Sequence, residues 1–125
     1  MPPVRAYDDE TELTNYVFRH YSHLFSAFEQ RVHRGSLMRR KNLSHESGPP
    51  EHPRLRQWGG WDDPEVSRIL EEGPERFFLG MRDRILKEHA DIVFINRCSR
   101  CQRIVATPKA QQCLWCGHDW HPRPA

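Results

Sequence analysis

Two Cys-x-x-Cys pairs constrain this chain more than any other feature: Cys98 and Cys101, then, after eleven intervening residues, Cys113 and Cys116. No other cysteine is present. Two residues between paired cysteines let one tight turn present both sulfurs to the same ion, and four thiolates satisfy a tetrahedral metal. Gly117 follows the second pair and supplies the open backbone a metal-binding knuckle needs. The spacing therefore predicts one Zn2+ held by Cys98, Cys101, Cys113 and Cys116. A thiol redox motif would need one pair in a βαβ context, which is missing. Disulfide pairing is the other rival. The N-terminus has no basic segment leading into an apolar run, so the expectation is a reducing, cytoplasmic compartment where disulfides are rare.

A shell of four cysteines leaves no open coordination position, so the zinc is expected to be structural and the protein not an enzyme. His118 and His121, in the segment GHDWH, are read as packing around the second knuckle, although ligation by either stays open. His20, His23 and His33 are read as core or surface filling. No phosphate-cradling glycine loop or nucleophile elbow is present.

Charge bears on the choice of partner. The chain carries a formal +2, made of −1 over residues 1–97 and +3 over residues 98–125. One zinc with four thiolates brings −2, which leaves the whole near zero and the tail near +1. On that count a strong basic patch is absent and nucleic acid is the less favoured partner; Arg97, Arg100, Arg103 and Lys109 are its candidate contacts. The basic triplet Arg39, Arg40 and Lys41 reads as a solvated run. Mean hydropathy is −0.84 and the longest apolar run is Ile92 to Ile95, so no membrane span is expected.

Periodicity organises the rest. Leu13, Tyr16, Val17, His20, Leu24, Phe25, Phe28 and Val32 recur at helical spacing and predict one long helix from about Asp9 to Arg34, ended by Gly35. Residues 42–62, rich in proline and glycine, predict an irregular loop. Asp63-Pro64 starts a second helix that Gly73 ends, and Pro74 opens a third, in which Gly80 suggests close helix packing. The β-branched run at residues 91–96 and the segment QRIVATP predict two short strands. The expected fold is mainly α: a helical bundle over residues 1–91 with a small β zinc ribbon over 92–125, docked as one unit.

The stretch CSRCQRIVATPKAQQCLWCGHDWHP resembles the C-terminal end of a group of small bacterial proteins in which a helical region precedes a four-cysteine ribbon. More broadly it is similar to zinc-ribbon modules, with the ligands at the four cysteines and Gln102 where glycine is common. The resemblance implies a non-enzymatic protein-binding role, of the type filled by immunity proteins that inhibit a toxin. Trp58, Trp61 and Trp120 are the candidate anchors for such a partner, because tryptophan is enriched at binding hot spots.

Overall fold

A computed structural model describes residues 6–43 and 51–122, with side chains at 6–40 and 51–122. Among the described residues are five α-helices: α1 Asp9–His20, α2 Ala27–Leu43, α3 Pro53–Trp58, α4 Pro64–Glu72 and α5 Glu75–Glu88, with a 3-10 turn at Ser22–Leu24. Two compact units result, Met1–Ser22 with Ile85–Ala125, and His23–Arg84. The division groups α1 with the cysteine segment, where the sequence suggested a boundary near residue 91.

The predicted long helix is two helices. Asp8 caps α1 by accepting from the Thr11 amide at 3.0 Å, and the helix ends at Tyr21. The chain restarts at a reciprocal capping box: the Ser26 amide donates to Glu29 Oε1 at 2.8 Å and the Glu29 amide to Ser26 Oγ at 3.1 Å. The helical spacing of apolar residues runs straight through this break, which is why periodicity alone missed it. Nor does Gly35 end a helix. It is a buried residue within α2, and a Cβ there would lie 2.6 Å from the Gly59 carbonyl oxygen. Close approach thus occurs at Gly35, whereas Gly80, where it was expected, is exposed with nothing within 4 Å.

The expected loop at 42–62 is partly helical. Pro53 opens α3, and Trp61 folds back beneath the turn, where a Cβ on Gly59 would sit 2.1 Å from its ring. The part of that loop at residues 44–50 lies outside the described residues. Asp63 caps α4 as the sequence predicts, accepting from the amides of Glu65 and Val66 at 3.0 and 3.2 Å. Arg39 is not a solvated cation either: it lies 5.2 Å over the Trp61 ring and donates to Ser67 Oγ at 2.8 Å. Phe25, Val32, Val66 and Met81 are buried in this unit, and with them Glu29, which pairs with Arg84.

The predicted strands are absent among the described residues, which contain only two isolated antiparallel bridges, Arg97 with Ile104 and Gln112 with Asp119. The reason lies in where the backbone bonds go. The amides of Ile92 and Val93 both return to the His89 carbonyl at 2.9 Å. The Phe94 amide donates to the Tyr21 hydroxyl at 3.0 Å, and the Tyr16 hydroxyl donates to the Phe94 carbonyl at 2.6 Å. Burial pushes Tyr16 up to about 12, so it remains a protonated donor. Side chains at the end of α1 thereby take the bonds a neighbouring strand would have made.

Candidate metal centre

The sulfurs of Cys98, Cys101, Cys113 and Cys116 all lie within 4.8 Å of one another. Two cross-pair separations, Cys98 to Cys116 and Cys101 to Cys113, are 3.6 Å. An ion with four sulfur ligands at about 2.3 Å in a tetrahedron sets its sulfurs about 3.8 Å apart. The four cysteines are therefore placed where they could hold a metal ion, and among the described residues no other group of three or more His, Cys, Asp or Glu is.

Each pair is a knuckle, and the second repeats the first fifteen residues on. The Gln102 amide donates to the Cys98 carbonyl at 2.8 Å, and the Gly117 amide to the Cys113 carbonyl at 3.0 Å. The Cys98 amide donates to the Arg103 carbonyl and the Cys113 amide to the His118 carbonyl, at 2.9 and 2.8 Å. The amides of Arg100 and Trp115 each donate to the first sulfur of their pair at 3.3 Å, and the Cys116 amide adds a third such bond at 3.4 Å. N–H groups aimed at sulfur favour the thiolate, the form that binds metal. Burial works to raise the Cys98 thiol, but the amides of Cys101 and Arg100 and the Cys116 thiol outweigh it and bring Cys98 down to about 7. Burial and the three neighbouring sulfurs push Cys101 up to about 12. Four thiolates so close need a cation among them.

Cys98 and Cys113 are buried, Cys101 is half-buried and Cys116 is exposed. Val105 is buried with them, and Ala110, Trp115 and Trp120 pack against the group. Trp115 donates from Nε1 to the Ile104 carbonyl at 3.0 Å and meets the Tyr7 ring edge-on at 4.9 Å. His118 and His121 stand outside the metal-capable group: the His118 ring faces Trp120, and His121 Nδ1 lies 2.6 Å from Asp119.

Two supporting residues escaped the sequence reading. Tyr7 accepts the Ile104 amide at 3.0 Å, and the Arg103 guanidinium lies 5.4 Å over its ring. Asn96 is 7 % exposed, and its Nδ2 donates to the Thr107 and Ala110 carbonyls at 2.9 and 3.0 Å, holding the segment between the knuckles. Nothing in a single sequence marks either one. Of the four cations assigned to nucleic acid, Arg97 is held by both oxygens of Asp9 at 2.8 and 3.1 Å, and that hydrogen bonding raises its pKa. Arg103 is the one on Tyr7, while Arg100 and Lys109 are exposed.

The three candidate anchors differ in setting. Trp58 is exposed, Trp61 is half-buried beneath Gly59, and Trp120 packs on the cysteine cluster. No family model matches the chain, and no curated protein or solved structure matches it either. Among the described residues no helix is long and apolar enough to cross a membrane.

Proposed function

We propose that the chain is a non-enzymatic protein-binding module in which Cys98, Cys101, Cys113 and Cys116 hold one structural Zn2+ in a compact zinc-ribbon-like segment. The observation that carries the reading is the sulfur cluster, with spacing suited to a tetrahedral ion and backbone donors on its sulfurs. Zinc suits it because soft thiolates in a tetrahedron select zinc or iron–sulfur chemistry, and a single closed S4 site fits one zinc. If all four thiolates bind, no position remains for water or substrate. Function then falls to the surface.

The biological setting we favour is an immunity or inhibitor protein of bacterial type that neutralises a toxin. The alternative, a regulatory nucleic-acid-associated ribbon, has less to draw on because Arg97 and Arg103 are already engaged. X-ray absorption at the zinc edge tests the site: four sulfurs and no light-atom ligand are expected, and a light-atom neighbour would remove the proposed closed four-thiolate shell. Co-expression with the product of the adjacent gene tests the setting. Rescue from its toxicity supports inhibition, and binding to nucleic acid that falls steeply with salt would favour the alternative.

A further inference from the structure

The net charge of the whole chain hides a local concentration. Residues 31–58 carry seven basic and two acidic side chains, a net +5, so the remaining 97 residues carry −3. The same stretch exposes three large apolar side chains: Leu37 at 50 %, Leu55 at 46 % and Trp58 at 58 %. One contact joins them. Arg34 on α2 donates from Nε to the Trp58 carbonyl at 2.8 Å, and its guanidinium lies 4.8 Å over the Trp58 ring. Leu37 is one turn along α2 from Arg34, and Arg54 and Leu55 are one turn back along α3 from Trp58, so these residues share one face.

We propose that this α2–α3 face is a docking surface for an acidic segment of a partner protein that carries apolar side chains among its carboxylates. The inference rests on the protein-binding reading above and names the surface and the partner's chemistry. Not every cation in the stretch is available. Arg56 pairs with Asp62 at 3.1 Å, Arg31 approaches Asp63 at 3.6 Å, and Arg39 is committed to Trp61 and Ser67. Arg40 and Arg54 are exposed, and together with Arg34 they lie along the two helices that carry the apolar side chains. A tryptophan held by an arginine has the composition of a protein-interface hot spot, and the exposed leucines beside it add apolar surface to the same face. Single-stranded nucleic acid fits less well. It needs bare aromatic faces for stacking, and one face of Trp58 is covered by Arg34, while a sugar-phosphate chain has no use for Leu37 and Leu55.

Selection of a phage-displayed library of random twelve-residue peptides against the whole 125-residue chain, loaded with zinc, tests this. The enriched peptides should be net acidic and contain aromatic or aliphatic residues. As synthetic peptides they should lose at least tenfold in affinity on Trp58→Ala and on the double variant R40E/R54E, and weaken as salt rises. All three side chains are exposed, so the variants should keep the wild-type helical circular dichroism. Phe94→Ala removes an equally exposed apolar side chain in the other unit and should leave binding unchanged. Several outcomes overturn the proposal: no enriched peptide, enrichment without acidic character, insensitivity to Trp58→Ala, or tighter binding of oligo-dT through the same residues. If Phe94→Ala abolishes peptide binding and Trp58→Ala does not, protein binding stands and this surface falls.

Discussion

Gln102 and Gly117 occupy the same place in the two knuckles, each one residue after the second cysteine, and both have left-handed backbones with φ of 65° and 80°. The sequence showed a glycine in one and a glutamine in the other; the structure gives both the same tight turn. A non-glycine residue at positive φ is strained, and Gln102 recovers only an exposed bond from Nε2 to the Ser99 carbonyl at 3.1 Å. Gln102→Gly should therefore stabilise the metal-loaded protein by about 0.5–1 kcal/mol. Gly117→Ala should destabilise it by about 1 kcal/mol through the backbone alone, since its Cβ would meet nothing within 4 Å. Thermal melts read both, and a lower Tm for Gln102→Gly would show that the Ser99 bond outweighs the strain.

Metal removal should act unequally along the chain. The buried group around the site is small, with Cys98, Val105 and Cys113 at its centre, so on the structural-zinc reading a bound ion would contribute much of the local folding free energy. Structural zinc sites in small peptides are worth about 10–16 kcal/mol of apparent binding free energy at neutral pH. Chelation, or Cys113→Ala, should abolish amide protection over residues 96–120, while the helices within His23–Arg84 keep theirs. Hydrogen exchange with mass spectrometry resolves the two. A Cys113→Ala protein that stayed protected over 96–120 without metal would remove the structural role.

The capping box at Ser26 makes a pH prediction. Glu29 is 8 % exposed, and Arg84 donates to it from Nε at 3.0 Å and from Nη2 at 2.5 Å. Burial works to raise the Glu29 carboxyl, but the Arg84 hydrogen bonds and the Ser26 amide outweigh it and hold the group below its ordinary 4.5. The unfolded chain therefore binds this proton more readily than the folded one. Glu29 contributes stability that is fully present above about 4.5 and is lost as pH falls through its lower folded value. Glu29→Gln should flatten that acid limb and cost about 1–3 kcal/mol at pH 7, less than a fully buried pair because the Arg84 side chain is 30 % exposed. Ser26→Ala, which removes the cap and the smallest of the contacts that lower the Glu29 carboxyl, should cost about 1 kcal/mol with most of the acid limb retained. Urea titrations between pH 3 and 7 compare the three.

How much of this was legible depended on whether a signal was local. The clustering of the four cysteines could be read because two residues between cysteines is a geometric requirement of the knuckle itself. The α4 cap at Asp63-Pro64 could be read for the same reason. The break before α2 was also written in the sequence, as Ser26 followed three residues later by Glu29, but the apolar stripe continuing past it masked the signal. The strands at 91–108 could not be judged locally, because β-propensity describes a side chain's fit to a sheet, and the Phe94 amide and carbonyl and the Asn96 amide are bonded by hydroxyls of Tyr16 and Tyr21. The +5 between residues 31 and 58 is hidden in the −1 of residues 1–97, because acidic side chains on either side of it offset it.

Asn96 gives the sharpest test of the segment between the knuckles. Its amide nitrogen faces the carbonyls of Thr107, Pro108 and Ala110 at 2.9, 3.4 and 3.0 Å, all acceptors, so only a donor is accommodated. Asn96→Ala leaves the Thr107 and Ala110 carbonyls without this partner and should cost about 1–3 kcal/mol. Asn96→Asp keeps the shape but turns a carboxylate oxygen toward three carbonyl oxygens in a buried position, with no donor to compensate. It should therefore be worse than Asn96→Ala at pH 7, and should improve toward the alanine variant as the pH is lowered to protonate the carboxyl, provided the metal stays bound. Thermal melts of the two variants, with metal content measured in parallel, decide the order. If Asn96→Asp proved the milder change, the side chain would be acting through its shape rather than as the donor that joins residue 96 to the 107–110 turn.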